Sequence, residues 1–133
     1  MTSEDLRSHP LLAEFTDVEL SRLSSRLEEV DVEPGTELTR TGERALLFFL
    51  IVEGEAEVSR DSHRLFSLGP GDFFGEIGLL DDDVRTADVV ALTPMRVAAM
   101  LPGDFRGMLE DLPDLGAVVR ATAEMRRARP SGS

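Results

Sequence analysis

The sequence predicts a mainly β domain flanked by helices, and three observations point there. Between residues 28 and 101, short β-prone runs are broken by turn signals: "EPGT", "RTGER", "VEGE", "RDSH", "LGPGD" and "LTPM". Strands spaced this closely, with Gly and Pro between them, close into a sandwich, a roll or a barrel. One helical pattern precedes this region and two follow it. The chain has 133 residues, the size of one domain, and 41% of them are apolar, enough for an ordinary core. The expected organisation is a helical segment over 1–27, a β region over 28–101, two helices over 102–128 and a disordered tail over 129–133.

The first helix is read from "FTDVELSRLSSRLEEV". Thr16 is its N-cap and Glu19, three residues on, completes a capping box. Phe15 before the cap and Leu20 after it make a hydrophobic staple. Leu20, Leu23 and Leu27 then share one face.

Within the β region, "EAEVSR" alternates: Ala56 and Val58 take one face, and Glu55, Glu57 and Ser59 the other. "LLFFLIV" does not alternate, so it is expected to be buried on both faces. "MRVAAML" at 95–101 is the last strand, and Pro102 ends it.

Phe105, Met108, Leu109 and Leu112 recur at i, i+3, i+4 and i+7, a helical stripe. Pro113 stops that helix and suits the first turn of the next. Leu115, Val118, Val119 and Thr122 continue on one stripe. Arg126 and Arg127 fall at its C-terminal end, where the helix dipole favours cations. The apolar stripe needs a cover: the β region, a pocket mouth, or the same helix of a second chain in a homodimer. An effector protein is the other partner class expected.

Composition narrows the function. The 26 acidic residues outnumber 14 basic ones, all of them Arg, for a net charge of -12. Such a surface repels DNA, RNA and anionic lipid, so neither a nucleic-acid polymer nor a membrane is an expected partner. With no Cys, disulfides and thiolate metal sites are excluded. The longest apolar run, "ALLFFLIV" at 45–52, falls well short of the about twenty residues a membrane span needs. "MTSEDLRSHP" has no apolar signal core, so a cytoplasmic protein is expected. A metal enzyme on a related jelly-roll plan, such as a cupin, needs several His ligands. The chain has only His9 and His63, both expected at the surface, and shows no Ser–His–Asp or Cys–His arrangement. No catalytic residue, metal or cofactor is expected.

The chemistry concentrates between residues 69 and 91. Gly69, Pro70 and Gly71 suit a turn between strands. Gly75 and Gly78 flank Glu76 and Ile77 inside one expected turn of helix. Gly in a helix interior costs roughly 1 kcal/mol, so two together need a reason. Close approach of a ligand to the backbone is one, and a helix start with bare N–H groups attracts anions. Arg85 can hold a phosphate by two parallel hydrogen bonds, and Thr86 adds a hydroxyl and an N–H. Glu76 can accept from a sugar hydroxyl. These residues describe a nucleotide pocket. They also fit a solvated loop on which Arg85 pairs with Asp81, Asp82 or Asp83, and residue types alone leave both open.

"FGEIGLLDDDVRTADVVA" closely resembles the phosphate-binding cassette of the cyclic nucleotide-binding domain family. That family includes the catabolite activator protein, the regulatory subunits of protein kinase A and cyclic-nucleotide-gated channels. The matching pieces are Phe74-Gly75-Glu76, Gly78, Leu79-Leu80 and Arg85-Thr86-Ala87, with the family's common nine-residue step from Glu76 to Arg85. "HPLLAEFTDVELSRL", "EPGTELTRTGERALLFFLIVEGEAEV", "LGPGDFFGE" and "LPGDFRGMLEDLPDL" resemble the family's flanking segments, so the likeness spans nearly the whole chain.

The resemblance implies a single domain over 1–133, an antiparallel jelly-roll-like β-roll of about eight strands, with the cassette at 74–87. It implies a regulatory sensor of cAMP, with cGMP as a second candidate. Glu76 would hold the ribose 2′-OH and Arg85 the cyclic phosphate. Backbone N–H groups at Gly75, Gly78 and Thr86 would surround them, with Ile77 in the same turn. The Thr86 hydroxyl would reach phosphate and a syn purine, and Ala87 would leave room for the base. The last helix would move on binding, and Val119 or Met125 would close over the purine. Two departures stand out. The "DDDV" stretch places three carboxylates beside an anion site, and no output module is expected after residue 133. The alternative is a degenerate interaction module that keeps the fold without the ligand.

Overall fold

The computed structural model describes residues 6, 9, 12–40, 42–43, 47–80 and 87–127. Among the described residues, eight strands and four helices run in the order α1 (Asp17–Ser24), β1 (Glu28–Val32), β2 (Glu37–Thr39), β3 (Phe48–Glu53), β4 (Ala56–Arg60), β5 (His63–Leu68), β6 (Phe73–Phe74), α2 (Glu76–Leu80), β7 (Asp88–Ala91), β8 (Met95–Met100), α3 (Pro102–Asp111) and α4 (Pro113–Arg127). The strands form two four-stranded sheets, β1-β8-β3-β6 and β2-β7-β4-β5, and every pairing is antiparallel. This is the β-roll with flanking helices that the sequence predicts.

Two cores follow from the strand that does not alternate. Phe49 and Ile51 of β3 join Val97 and Ala99 of β8 in a core with Val58, Val89 and Phe74. Phe48 and Leu50 point the other way, into a second core with Phe105, Met108, Leu112, Leu115 and Val119 of the last two helices. A strand covered on both faces needs apolar residues at every position, which is what "FFLI" supplies. The β4–β5 hairpin turns through Asp61 and Ser62, both at positive φ (52° and 66°), the backbone that matches strand twist in a two-residue loop. Gly54 also has positive φ, and a Cβ there would lie 2.4 Å from the Pro94 carbonyl oxygen. That position accepts no side chain.

The structure departs from the reading in three places. The Thr16–Glu19 capping box forms, but α1 ends at Ser24, before Leu27. Pairing of Glu28 with Ala99 draws the chain into β1 immediately afterwards. On α4 the buried stripe is Leu115, Val119 and Ala123, while Val118 is exposed and Thr122 only partly covered. The β-roll and α3 therefore cover the helix. Finally, His9 is buried and not a surface residue, with its imidazole pKa lowered chiefly by desolvation. His63 is exposed, as expected. The tail from 128 onward lies outside the described residues.

Candidate functional site

Consecutive phenylalanines place the site. Phe73 points into the helix-side core and contacts Phe48 at 5.6 Å between ring centroids. Phe74 points into the inter-sheet core and stacks on Phe49 at 4.8 Å. With β6 held from both sides, the chain turns at Gly75 (φ 92°) and enters α2 at Glu76. The positive φ explains the first glycine, which precedes the helix and does not lie within it. Gly78 lies inside α2.

Glu76 is a carboxylate at 1% exposure, which is rare without compensation. One oxygen is compensated. Nη1 of Arg126, in the last turn of α4 and 50 residues away, donates to Oε1 at 2.5 Å. The guanidinium is itself walled in, with its carbon 5.2 Å from the centroid of Phe73 and 5.8 Å from that of Phe66. The second oxygen, Oε2, is buried and has no hydrogen-bond partner among the described residues. An unsatisfied buried acceptor costs about 1–3 kcal/mol.

A cleft of about 630 Å³, counted to its open mouth, lies beside this pair. Gly75, Glu76, Ile77 and Arg126 line it. Val58, Leu65, Phe66, Val89, Thr39 and Ala87 line it as well. The Thr39 hydroxyl donates to the Ala87 carbonyl at 3.0 Å and ties the approach to β7 to the end of β2. The size and mixed lining suit a small organic ligand with a few polar anchors.

The structure thus brings together Gly75, Glu76, Ile77 and Ala87. Arg85, Thr86 and the acidic stretch at 81–84 lie outside the described residues. The two apolar residues expected to close over a base do not line the cleft. Val119 is packed in the core at 0% exposure, and Met125 is 67% exposed. Arg126 stands there instead. Its sequence reading as a dipole partner missed its main contact, although a signal existed. Arg126 follows Val119 by seven and Ala123 by three, on the buried stripe, where a guanidinium requires a carboxylate. Among the described residues, no three His, Cys, Asp or Glu side chains are grouped to hold a metal ion, and no helix is long and apolar enough to cross a membrane.

Residues 29–111 match the family model described as the cyclic nucleotide-binding domain. The chain belongs to the cyclic nucleotide-binding domain family. It is 37% identical over 106 residues to a cAMP-dependent protein kinase regulatory subunit of Yarrowia lipolytica, a match covering 78% of this chain and 28% of that protein. It is 32% identical over 121 residues to a cyclic nucleotide-gated potassium channel of Rhizobium etli, covering 91% of this chain and 34% of the channel. The chain therefore spans about a third or less of these two relatives. Among solved structures, a putative cyclic nucleotide-binding protein from Geobacter metallireducens superposes with a TM-score of 0.78 at 27% identity, over 97% of this chain and 99% of that one. The segment expected to be the cassette begins at the β6–α2 turn, where the buried carboxylate lies.

Proposed function

We propose that this chain is a non-catalytic cyclic nucleotide sensor that takes cAMP or cGMP in the cleft and signals through α4. The observation that carries the reading is the divided carboxylate of Glu76. Oε1 is held by Arg126, and Oε2 is buried without a partner among the described residues. A ribose 2′-OH donating to Oε2 satisfies it without displacing the arginine. The ring phosphate then sits at the turn from Gly75 to Gly78, where Arg85 and Thr86 supply the guanidinium and hydroxyl that the family motif uses. The base extends over Val58, Phe66 and Ala87 on the cleft wall.

The same arrangement makes binding and helix position interdependent. Glu76 is shared by ligand and α4, so a bound sugar favours the seated helix and a seated helix favours the sugar. A ligand shifts such an equilibrium only through unequal affinity for its two states, and the coupling is reciprocal. Arg126 takes the role expected of an apolar cap and acts through an ion pair.

Calorimetric titration with cAMP and 2′-deoxy-cAMP tests the reading. Loss of one hydrogen bond to a charged group weakens binding by about 1.5–3 kcal/mol, on the order of 10- to 100-fold. Glu76→Gln should weaken cAMP and narrow the gap between the two ligands. Equal wild-type affinity for both removes Glu76 from the sugar site.

A further inference from the structure

Among the described residues, the buried polar or charged side chains are His9, Thr39 and Glu76, and the last two line the cleft. Glu76 serves the ion pair and the sugar; Thr39 serves neither. Thr39 is the last residue of β2 and is 7% exposed, with Val58, Ala87 and Val89 among the other residues of the cleft lining. A valine would suit such apolar company without bringing a hydroxyl out of water, so the hydroxyl calls for a reason.

The strand pairing supplies one. Glu37 pairs with Val90 and Thr39 with Val89, which leaves Leu38 as an extra residue on β2. Neighbouring strand residues ordinarily point to opposite faces. The bulge re-aims them: Leu38 packs against the inter-sheet core, and Thr39 is buried on the cleft lining. The β2–β7 ladder stops at Thr39 and Val89, two residues short of Ala87. The Thr39 hydroxyl reaches past that end and donates to the Ala87 carbonyl. A side chain thus continues, by one hydrogen bond, a pairing that the backbone has given up.

This inference rests on the cyclic nucleotide reading, in which Arg85 and Thr86 take the phosphate. Ala87 follows them directly in the chain. Pinning the Ala87 peptide fixes the point at which the chain carrying those two residues joins β7. A binding group held in advance by its support loses less freedom when the ligand arrives, so the support raises affinity without touching the ligand. We propose that Thr39 is a positioning residue: its hydroxyl, acting through the Ala87 carbonyl, sets the approach of Arg85 and Thr86 to the phosphate of a bound cyclic nucleotide. Its effect falls on the phosphate, which all cyclic nucleotides share, and leaves recognition of the base and of the ribose 2′-OH unchanged.

The test is titration of the wild type, Thr39→Val and Thr39→Ser with cAMP, cGMP and 2′-deoxy-cAMP, with each variant's melting temperature measured first. Thr39→Val keeps the shape and removes the donor, and it should weaken all three ligands by the same factor, about five- to tenfold. Thr39→Ser keeps the hydroxyl and should bind within about twofold of wild type, a rescue that a purely space-filling role does not give. Thr39→Ala removes the same hydroxyl and carries the test if the valine variant does not fold. No loss on removing the hydroxyl would overturn the proposal, as would a serine variant as weak as the valine one. A loss confined to cAMP or to cGMP, or a changed ratio of cAMP to 2′-deoxy-cAMP, would make Thr39 a reader of base or sugar and overturn it as well. A wild type that binds none of the three overturns the cyclic nucleotide reading itself, which separates the two failures.

Discussion

Replacing Arg126 with methionine interrogates the link between α4 and the cleft. The Arg126 side chain is 15% exposed and that of Glu76 only 1%, so little solvent screens the pair. Methionine keeps an unbranched stem against Phe66 and Phe73 and deletes the charge, so the loss is mainly electrostatic. What remains is a buried carboxylate with neither oxygen partnered among the described residues. Removing one member of a buried ion pair costs about 3–5 kcal/mol. Arg126 retains some solvent contact and sits in the last turn of its helix, which can loosen to admit water. We therefore expect the lower end, about 3 kcal/mol, or roughly 10 °C in melting temperature for a domain of this size. Urea unfolding at pH 7 of the wild type, Arg126→Met, Glu76→Gln and the double variant reads the effect. The double variant should recover most of the loss, with a coupling energy of about 2 kcal/mol, because no buried charge is left. A single variant less than about 1 kcal/mol below wild type, or a cycle additive within about 0.5 kcal/mol, would refute the claim that this pair seats the helix.

Hydrogen exchange across 114–125 should slow when cyclic nucleotide is added, and the slowing should disappear in Arg126→Met; protection confined to the cassette would make the domain a passive binder. Gly54→Ala should destabilise by about 2 kcal/mol or more, since its φ of 91° disfavours a side chain and the new Cβ meets the Pro94 carbonyl at 2.4 Å; an unchanged urea midpoint would contradict this. Burial lowers the His9 pKa from 6.5, so the unfolded chain takes up its proton first as pH falls. The contribution is present in full above 6.5 and is lost as pH falls from there through the folded value. Urea midpoints between pH 5 and 7 should therefore decline less steeply in His9→Gln, and identical slopes would count against it.

The sequence by itself determined features whose causes are local or one-dimensional. The Thr16–Glu19 capping box joins residues three apart, and Pro102 and Pro113 divide the end of the chain into two helices at the expected points. The unbroken apolar run at β3 announced burial on both faces, because a strand with one wet face alternates. The Phe74-Gly75-Glu76 motif was legible through its resemblance to the family's cassette, although Gly75, expected within the helical turn, lies just before it at positive φ.

Only the tertiary structure decided which sides of these elements meet. Periodicity lists the residues that share a helix face but not the angle at which the rest of the protein covers it. On α4 the covered side includes Gly116, where a Cβ would stand 3.1 Å from the Leu109 carbonyl oxygen, so α3 approaches closely there. That approach leaves Val118 exposed and carries Val119, Ala123 and Arg126 inward. The cleft is likewise a product of register. Val58, Phe66, Glu76 and Arg126 come from four separate elements, and none is within seven positions of another in the chain. Antiparallel pairing of β4 with β5 and β7, and the anchoring of β6 by two oppositely directed phenylalanines, bring those elements together. Glu76 and Arg126 find each other across 50 residues because a carboxylate and a guanidinium excluded from water are each costly alone, and the fold that seats α4 against the roll lets them pair.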